Sequence, residues 1–320
     1  MRNLLHLLAA LTVLVLGIVA GMLGMAHWRI RSLRPPLPEA AAVEEAIAVG
    51  DPPIQLSWIN TATQKTSRDS VLASSEDPNP TAPYVMSHPS FVLQWADGRA
   101  LLVDSGMTRE GAVSFGRPLE ALGAGPIQPL VTAAEGLGDA CRQVRGLIFT
   151  HLHSDHVGGI VDLCRCAGHS IQVFMNPNQA RETNYTTSGS LELLKETDCV
   201  EIAELGGEGP VWTVPGFGGV AIAYAGGHTP DSQAVFARVG AGAGARRYAF
   251  AGDLVNNVDG ILHQVPKPYV YSLLIVPEDR AQLALWRERL KQMGSEGYGL
   301  VVDHDQLSIE SLGLPKFARP

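Results

Sequence analysis

Three histidines and one aspartate fall within six residues in Thr150-His151-Leu152-His153-Ser154-Asp155-His156-Val157-Gly158-Gly159. They follow the apolar run 144–149, which reads as a β-strand. Residues i and i+2 of an extended segment point to the same side, so His151 and His153 can grip one metal ion. Asp155 and His156 lie on the turn that follows and can serve a second ion beside it. Imidazole and carboxylate suit zinc, and also iron or manganese. Two such ions close together lower the pKa of a shared water towards ~7. The hydroxide so formed attacks a carbonyl or phosphoryl centre while one ion polarises the substrate oxygen. Asp155 is the carboxylate placed to orient that hydroxide and carry its proton to the leaving group. No GxSxG or comparable nucleophile motif competes.

Strands and turns must present these groups. Residues 91–95 and 99–103 read as a β-hairpin closed by Ala96-Asp97-Gly98. Its second strand runs into Asp104-Ser105-Gly106. Gly158-Gly159 lets the chain turn tightly into a helix over 158–166. Further strands are expected over 171–175, 220–224, 233–239, 248–250 and 300–302. The run Gly240 to Ala245 is a flexible hairpin loop rather than a phosphate cradle, since no helix follows it. Pro277 opens a helix whose Leu283, Trp286, Leu290 and Met293 share one face. Strands and helices alternate without a strict βαβ rhythm, as in an α/β (α+β) domain with helices covering packed sheets.

With these residues in place, the chain resembles the metallo-β-lactamase superfamily of metallohydrolases over about residues 54–306. Asp104 in Leu-Val-Asp-Ser-Gly matches the first family motif, and His151, His153, Asp155 and His156 match the second. His228 in Gly-Gly-His-Thr-Pro, Asp253 in Phe-Ala-Gly-Asp and His304 in Val-Val-Asp-His-Asp match the third to fifth. The resemblance implies an αββα sandwich with the site at one edge of its two sheets. It assigns His151, His153 and His228 to one divalent ion, zinc first among the choices. Asp155, His156 and His304 take the second, and Asp253 bridges both. Asp104 would orient a ligand histidine from behind. It makes Asp155 and Asp253 the catalytic carboxylates.

True β-lactamases of this fold usually lack the bridging Asp253, which disfavours antibiotic hydrolysis. The complete ligand set looks like lactonases, thioesterases, organophosphate hydrolases and phosphodiesterases. Acyl-homoserine lactonases carry a Tyr three residues after the bridging aspartate, where this chain has Asn256, at best a substitute substrate contact. Asp231 replaces the common Gly after His-Thr-Pro. A small-molecule carboxylic ester or lactone is the expected substrate. The alternatives are thioester or phosphoester hydrolysis, mononuclear-iron persulfide dioxygenation, and a non-catalytic metal-binding domain. Segments 107–142 and 181–190 should contact substrate. Phe115, Tyr185, His263 and Tyr269 are pocket candidates for which ordinary packing is the commoner role. His88 reads as structural.

The rest of the sequence bounds location and partners. The chain has 24 Lys+Arg and 32 Asp+Glu among 320 residues, a net charge of -8. Arg2, Arg29, Arg31 and Arg34 precede the first acidic residue, Glu39; without them 20 basic residues face 32 acidic ones, a net -12. So acidic a body is a poor nucleic-acid binder. Residues 7–26 carry no charge and, as a helix, span roughly 30 Å, about a bilayer core. Residues 1–27 therefore read as a single-pass inner-membrane anchor, with a cleaved signal peptide as the rival and secretion as its consequence. Long domains translocate largely regardless of flanking charge, and the body is expected on the periplasmic side. Residues 28–53, rich in Pro and Ala, read as a tether, and 54–320 as the hydrolase domain. Cys141, Cys164, Cys166 and Cys199 read as buried or structurally bridged, not as a zinc site.

Overall fold

The computed structural model describes residues 2–121, 123–207 and 209–318. Met1, Leu122, Glu208, Arg319 and Pro320 lie outside the described residues. β1 (Gln55–Ser67) and β2 (Pro83–Gln94), each buried over a long continuous stretch, form a long antiparallel pair. The expected Asp-Gly turn joins β2 to β3 (Ala100–Val103), with Trp95 N–H donating to Arg99 O at 3.0 Å and Gly98 at φ +89°. β4 (Ile127–Pro129), β5 (Val144–Ile148), β6 (Ile171–Met175) and β7 (Val200–Glu204) complete a sheet ordered β4-β1-β2-β3-β5-β6-β7. The second sheet runs β12-β11-β10-β9-β8 and comprises β8 (Val211–Thr213), β9 (Val220–Tyr224), β10 (Gln233–Val239), β11 (Arg246–Phe250) and β12 (Tyr298–Val301).

The sheets face each other across Trp58, Phe91, Leu101 and Phe174 on one side and Ile222, Val235, Phe250 and Val301 on the other. α4 (Ala133–Leu137), α6 (Ile160–Ala167) and α7 (Ser188–Glu196) cover the outer face of the first sheet. α9 (Arg280–Ser295) covers the second, burying Leu283, Trp286, Leu290 and Met293 on the anticipated face. This is the αββα sandwich. α9 starts later than Pro277, because Asp279 accepts from the free backbone N–H of Ala281 and caps it there. Residues 240–245 form the expected exposed hairpin loop. Two disulfides, Cys141–Cys166 and Cys164–Cys199, fasten α6 to the segments leading into β5 and β7.

The expected tether over 28–53 is corrected. The N-terminal helix α1 (Arg2–Ser32) continues past residue 27, and Ala40–Ala48 forms a helix, α2, against the outer face of the second sheet. Val43 and Ile47 are 1% and 0% exposed. Their i,i+4 spacing puts them on one helical face, and the surrounding alanines favour the helix. The prolines cluster at its two ends, Pro35 to Pro38 and Pro52-Pro53, and leave the stretch between them free to form a helix. Replacing Ile47 with Ala should lower stability by about 2–5 kcal/mol. Urea denaturation of the full chain in detergent measures this, and an unchanged midpoint would restore the tether.

Candidate metal centre

Five strands deliver the site to one edge of the sandwich. β3 and β5 run parallel, as do β11 and β12, while β9 and β11 both oppose β10. Their C-terminal ends lead into Asp104, the 151–156 segment, His228, Asp253 and His304. Asp104 adopts φ +58°, a left-handed conformation costly for a residue with a Cβ. Three donors hold it there: Thr150 N–H and Thr150 Oγ1–H, each at 2.8 Å, and His156 Nδ1 at 3.0 Å. Gly252, at φ +50°, lies so close to Thr150 that a Cβ would come within 2.6 Å of the threonine Cβ. Only glycine lets the Asp253 turn approach.

The donor atoms converge on two centres. Around the first, His151 Nε2 lies 2.9 Å from His153 Nδ1, His228 Nε2 3.3 Å from His153 Nδ1, and His228 Nε2 3.5 Å from Asp253 Oδ2. Around the second, His304 Nε2 lies 3.1 Å from Asp253 Oδ1 and 3.5 Å from Asp155 Oδ2, and His156 Nε2 lies 3.5 Å from Asp253 Oδ1. A tetrahedron with vertices at zinc–nitrogen distance has edges of about 3.3 Å. The first set of four, His151, His153, His228 and Asp253, has spacings close to this; beside it His156, Asp253 and His304 form a group of three, and His88, Asp155 and His304 another. His156 Nε2, Asp155 Oδ1 and Asp253 Oδ1 are buried without a hydrogen-bond partner, as atoms awaiting a cation would be. Divalent metal therefore fits the residues present.

The far side of each imidazole explains which nitrogen faces inward. His304 Nδ1 donates to Ser87 O at 2.8 Å, His228 Nδ1 to Glu278 Oε1 at 2.6 Å, and His156 Nδ1 to Asp104. The Thr150 hydroxyl, committed to Asp104, accepts from His151 Nδ1 at 3.3 Å. These bonds leave the Nε2 lone pair of each ring aimed at the site. His153 is reversed: the Thr186 hydroxyl donates to Asn184 Oδ1 and accepts from His153 Nε2 at 2.9 Å, which frees Nδ1. Burial, reinforced by neighbouring imidazoles, pushes His151 well below the usual histidine range and His153 down to about 3. Burial and the Lys267 ammonium lower His228. All three are neutral, the form that ligates. Burial also opposes charge on His156 and His304, but Asp104 and Asp155 beside the first and Asp253 beside the second outweigh it and raise both.

Several participants escaped sequence reasoning. His88 is not merely structural. Its Nδ1 lies 3.2 Å from Asp155 Oδ2, its ring packs on His304, and its Nε2 is buried without a partner. Lys267, 4% exposed, donates to Glu278 Oε1 at 2.7 Å and to the Asp253 carbonyl, while Ser272 Oγ donates to Glu278 Oε2. Burial alone would raise Glu278, but Lys267 and His228 overcome it and hold the carboxyl at about 2. Asp303 faces Asp104 across His156, and burial with that negative charge raises it well above the usual carboxylate range. No local pattern marks Lys267, Glu278 or Thr186; each becomes functional only by touching a histidine distant in sequence.

A cavity of about 870 Å³ opens over the site. Asn256 lines it, its Oδ1 buried and unpaired. So do Phe115 and Leu119 from α3 (Arg109–Ala121) and Thr186 from the 181–190 segment. Tyr185 is exposed beside Thr186, Tyr269 is exposed beneath Arg280, and His263 is exposed near Asp259 at the end of α8 (Val258–Leu262); none of the three lines the cavity. Tyr271, which sequence did not single out, does. Burial, with Glu278 and Asp253 nearby, raises its phenol well above the usual range.

The sequence pattern of the metallo-beta-lactamase superfamily matches residues 83–302. The chain belongs to the metallo-β-lactamase superfamily. Among solved structures, an N-acyl homoserine lactone hydrolase with N-hexanoyl-L-homoserine at its catalytic metal centre is similar at 19% identity and TM-score 0.58, covering 81% of this chain and 96% of that one. A quorum-quenching N-acyl homoserine lactone lactonase aligns at 17% identity and TM-score 0.58 over 82% and 97% of the two chains. A variant of AiiA from B. thuringiensis, with N-decanoyl-L-homoserine bound, aligns at 20% identity and TM-score 0.57 over 81% and 96%. No curated protein sequence matches the chain. At these identities the likeness concerns the fold.

Two outcomes follow from the geometry. Glu278→Gln removes the charge behind His228 and should weaken metal binding about 10–100-fold, as read by chelator competition. Unchanged affinity would reduce Glu278 to a packing role. Burial raises Asp231 to about 6, despite the bond it accepts from Leu152 N–H at 2.7 Å. The folded state thus holds a proton that the unfolded chain releases near pH 4, and this contribution to stability is lost as pH rises from about 4 to about 6. Asp231→Asn should therefore gain up to about 3 kcal/mol over the parent across that window in metal-free denaturation curves.

Proposed function

We propose that the protein is a membrane-anchored, dinuclear metal-dependent hydrolase that cleaves a carboxylic ester or lactone of a small molecule. The observation that carries this reading is the four-residue donor set His151, His153, His228 and Asp253 beside the set His156, Asp253 and His304, which shares Asp253, beneath a largely apolar cavity. His151, His153, His228 and Asp253 would hold one ion; His156, His304, Asp155 and Asp253 would hold the other. Zinc suits the nitrogen-rich set and its tetrahedral spacing. When bound, such ions supply Lewis-acid polarisation of an acyl oxygen and water activated near neutral pH.

The chain's own groups supply the rest. Asp155 keeps one oxygen toward His304 and leaves Oδ1 free, placed to orient the attacking water and pass its proton to the departing alkoxide. His88 fixes the rotation of that carboxylate through its 3.2 Å contact. Asn256 offers its side-chain amide to the substrate's polar end. Among the described residues lining the cavity, Lys65 is the one Lys or Arg, which supports a neutral small molecule over a nucleic acid. The neighbours named for N-acyl homoserine lactones support the lactone branch, with Asn256 in place of the tyrosine expected there.

An apolar stretch, Leu5–Ser32, is long enough to cross a membrane. The packing of its last turns on the body supports an uncleaved anchor: Ala26 and Ile30 are 5% and 1% exposed. Two disulfides support a body on the oxidising, periplasmic side of the inner membrane.

The full chain in detergent should bind about two equivalents of zinc, and Asp253→Ala should lower both the stoichiometry and kcat/KM by at least about a hundredfold for the latter. The assay is a panel of lactones, aryl esters, thioesters, phosphotriesters and β-lactams with metal analysis alongside. A single tightly held iron, or turnover confined to phosphoesters, would sink the proposal.

A further inference from the structure

We propose that the wall of the active-site cavity formed by residues 268–276 lies against the lipid surface, and that the substrate is an ester whose apolar tail resides in the bilayer leaflet. The inference rests on the anchored-hydrolase reading above. The span that remains for the membrane is 5–25, since Ala26, His27 and Ile30 are buried on the body. As a helix it measures roughly 32 Å, about one hydrocarbon core. No flexible chain separates span from body, because α1 itself docks.

Two of the docking points lie on segments whose neighbouring residues line the cavity, Leu273 between Tyr271 and Ile275 and Glu182 four residues before Thr186. His27 Nε2 contacts Leu273 O at 3.0 Å, Arg29 pairs with Glu182 Oε2 at 2.9 Å, and Arg34 pairs with Asp279. Residues 271–275 form one tight π-helical turn with two faces. Inward, Tyr271, Ile275 and the adjoining Val276 line the cavity. Outward, Tyr269, Val270 and Leu274 are 62%, 62% and 54% exposed. On the other docked segment, Thr186 lines the cavity while Tyr185 is 45% exposed. At the helix base, Met25 and Trp28 are 64% and 67% exposed. Apolar and amphipathic side chains therefore gather where the span leaves the body, and Trp and Tyr are the residues that favour a lipid–water interface.

The cavity is built to match. Its metal-side end is polar, with His153, Asp155, His304 and Asn256. Met86, Phe115, Leu119 and Ile275 supply apolar surface for a tail. An amphiphile lying in the leaflet would present its ester at the mouth without its tail first entering water, which removes most of the hydrophobic cost of extraction.

Two measurements on the full chain in phosphatidylcholine–phosphatidylglycerol vesicles test this. A bimane label at Leu274→Cys should be quenched by acyl-brominated lipid about as strongly as one at Met25→Cys. A label at Asp97→Cys, on the hairpin turn at the opposite edge of the sandwich, should not be. Quenching at Met25 without quenching at Leu274 overturns the proposal, and self-association at this face would give that result. In the second measurement, Val270→Ser/Leu274→Ser should keep its rate on soluble phenyl acetate and lose at least tenfold on a long-chain acyl ester held in the vesicles. Equal effects on both substrates overturn the route from the leaflet. If the parent chain cleaves neither ester, the ester reading falls and takes the substrate half of this proposal with it, while quenching still decides the membrane contact.

Discussion

The site gathers at least five carboxyl groups and six imidazoles in a space from which water is almost excluded. Asp104, Asp303 and His228 are 0% exposed, and Asp155, Asp253 and His304 no more than 5%. Burying like charges is among the most costly things a fold can do unless each is matched. Much of the surrounding structure answers that demand. Asp104 adopts a left-handed backbone and takes three donors. Lys267 is buried to face Glu278. Burial and the neighbouring Asp104 charge raise Asp303 well above the usual carboxylate range. Among the atoms left unmatched, Asp155 Oδ1, Asp253 Oδ1 and His156 Nε2 face the space where cations would fit.

The same demand accounts for the rigidity of the scaffold there. Gln233 reaches from β10 to Phe149 O and Asn176, tying the second sheet to the end of β5 beside the histidine segment. Trp286 and Gln282 of α9 donate to Ala225 O, steadying the turn that carries His228. Donor atoms set within a few tenths of an ångström of coordination distances need such bracing. By contrast, the cavity's outer wall at 268–276 is a short segment built around one π-helical turn between loops, suited to varying with substrate.

The N-terminal region joins this arrangement. The apolar helix and the 28–53 tether were expected to stand apart from the body, yet one end of α1 docks on the turn that walls the cavity and α2 completes the cover of the second sheet. The N-terminal helices and the site's edge are thus parts of one packed unit.

The residues that converge at the candidate site were legible because each sits at a strand end within a compact motif, where local geometry alone sets direction. Eight of the strands, the α9 face and the hairpin turn were legible for the same reason, period and turn chemistry being local, whereas β1, β4, β7 and β8 were not. His88, Thr186, Lys267, Tyr271 and Glu278 were not. Their roles come from contacts with residues far along the chain, and no periodicity encodes such a contact. α2 was hidden by composition, since prolines before it masked a two-residue apolar face that matters only once a sheet is there to receive it. The sequence by itself determined the chemistry on offer: imidazole and carboxylate donors, a long apolar N-terminal helix and an acidic body. Only the tertiary structure decided which nitrogen of each ring faces the site, what holds it there, and which wall of the cavity meets that helix, because these depend on the meeting of strands and loops that the chain brings together only by folding.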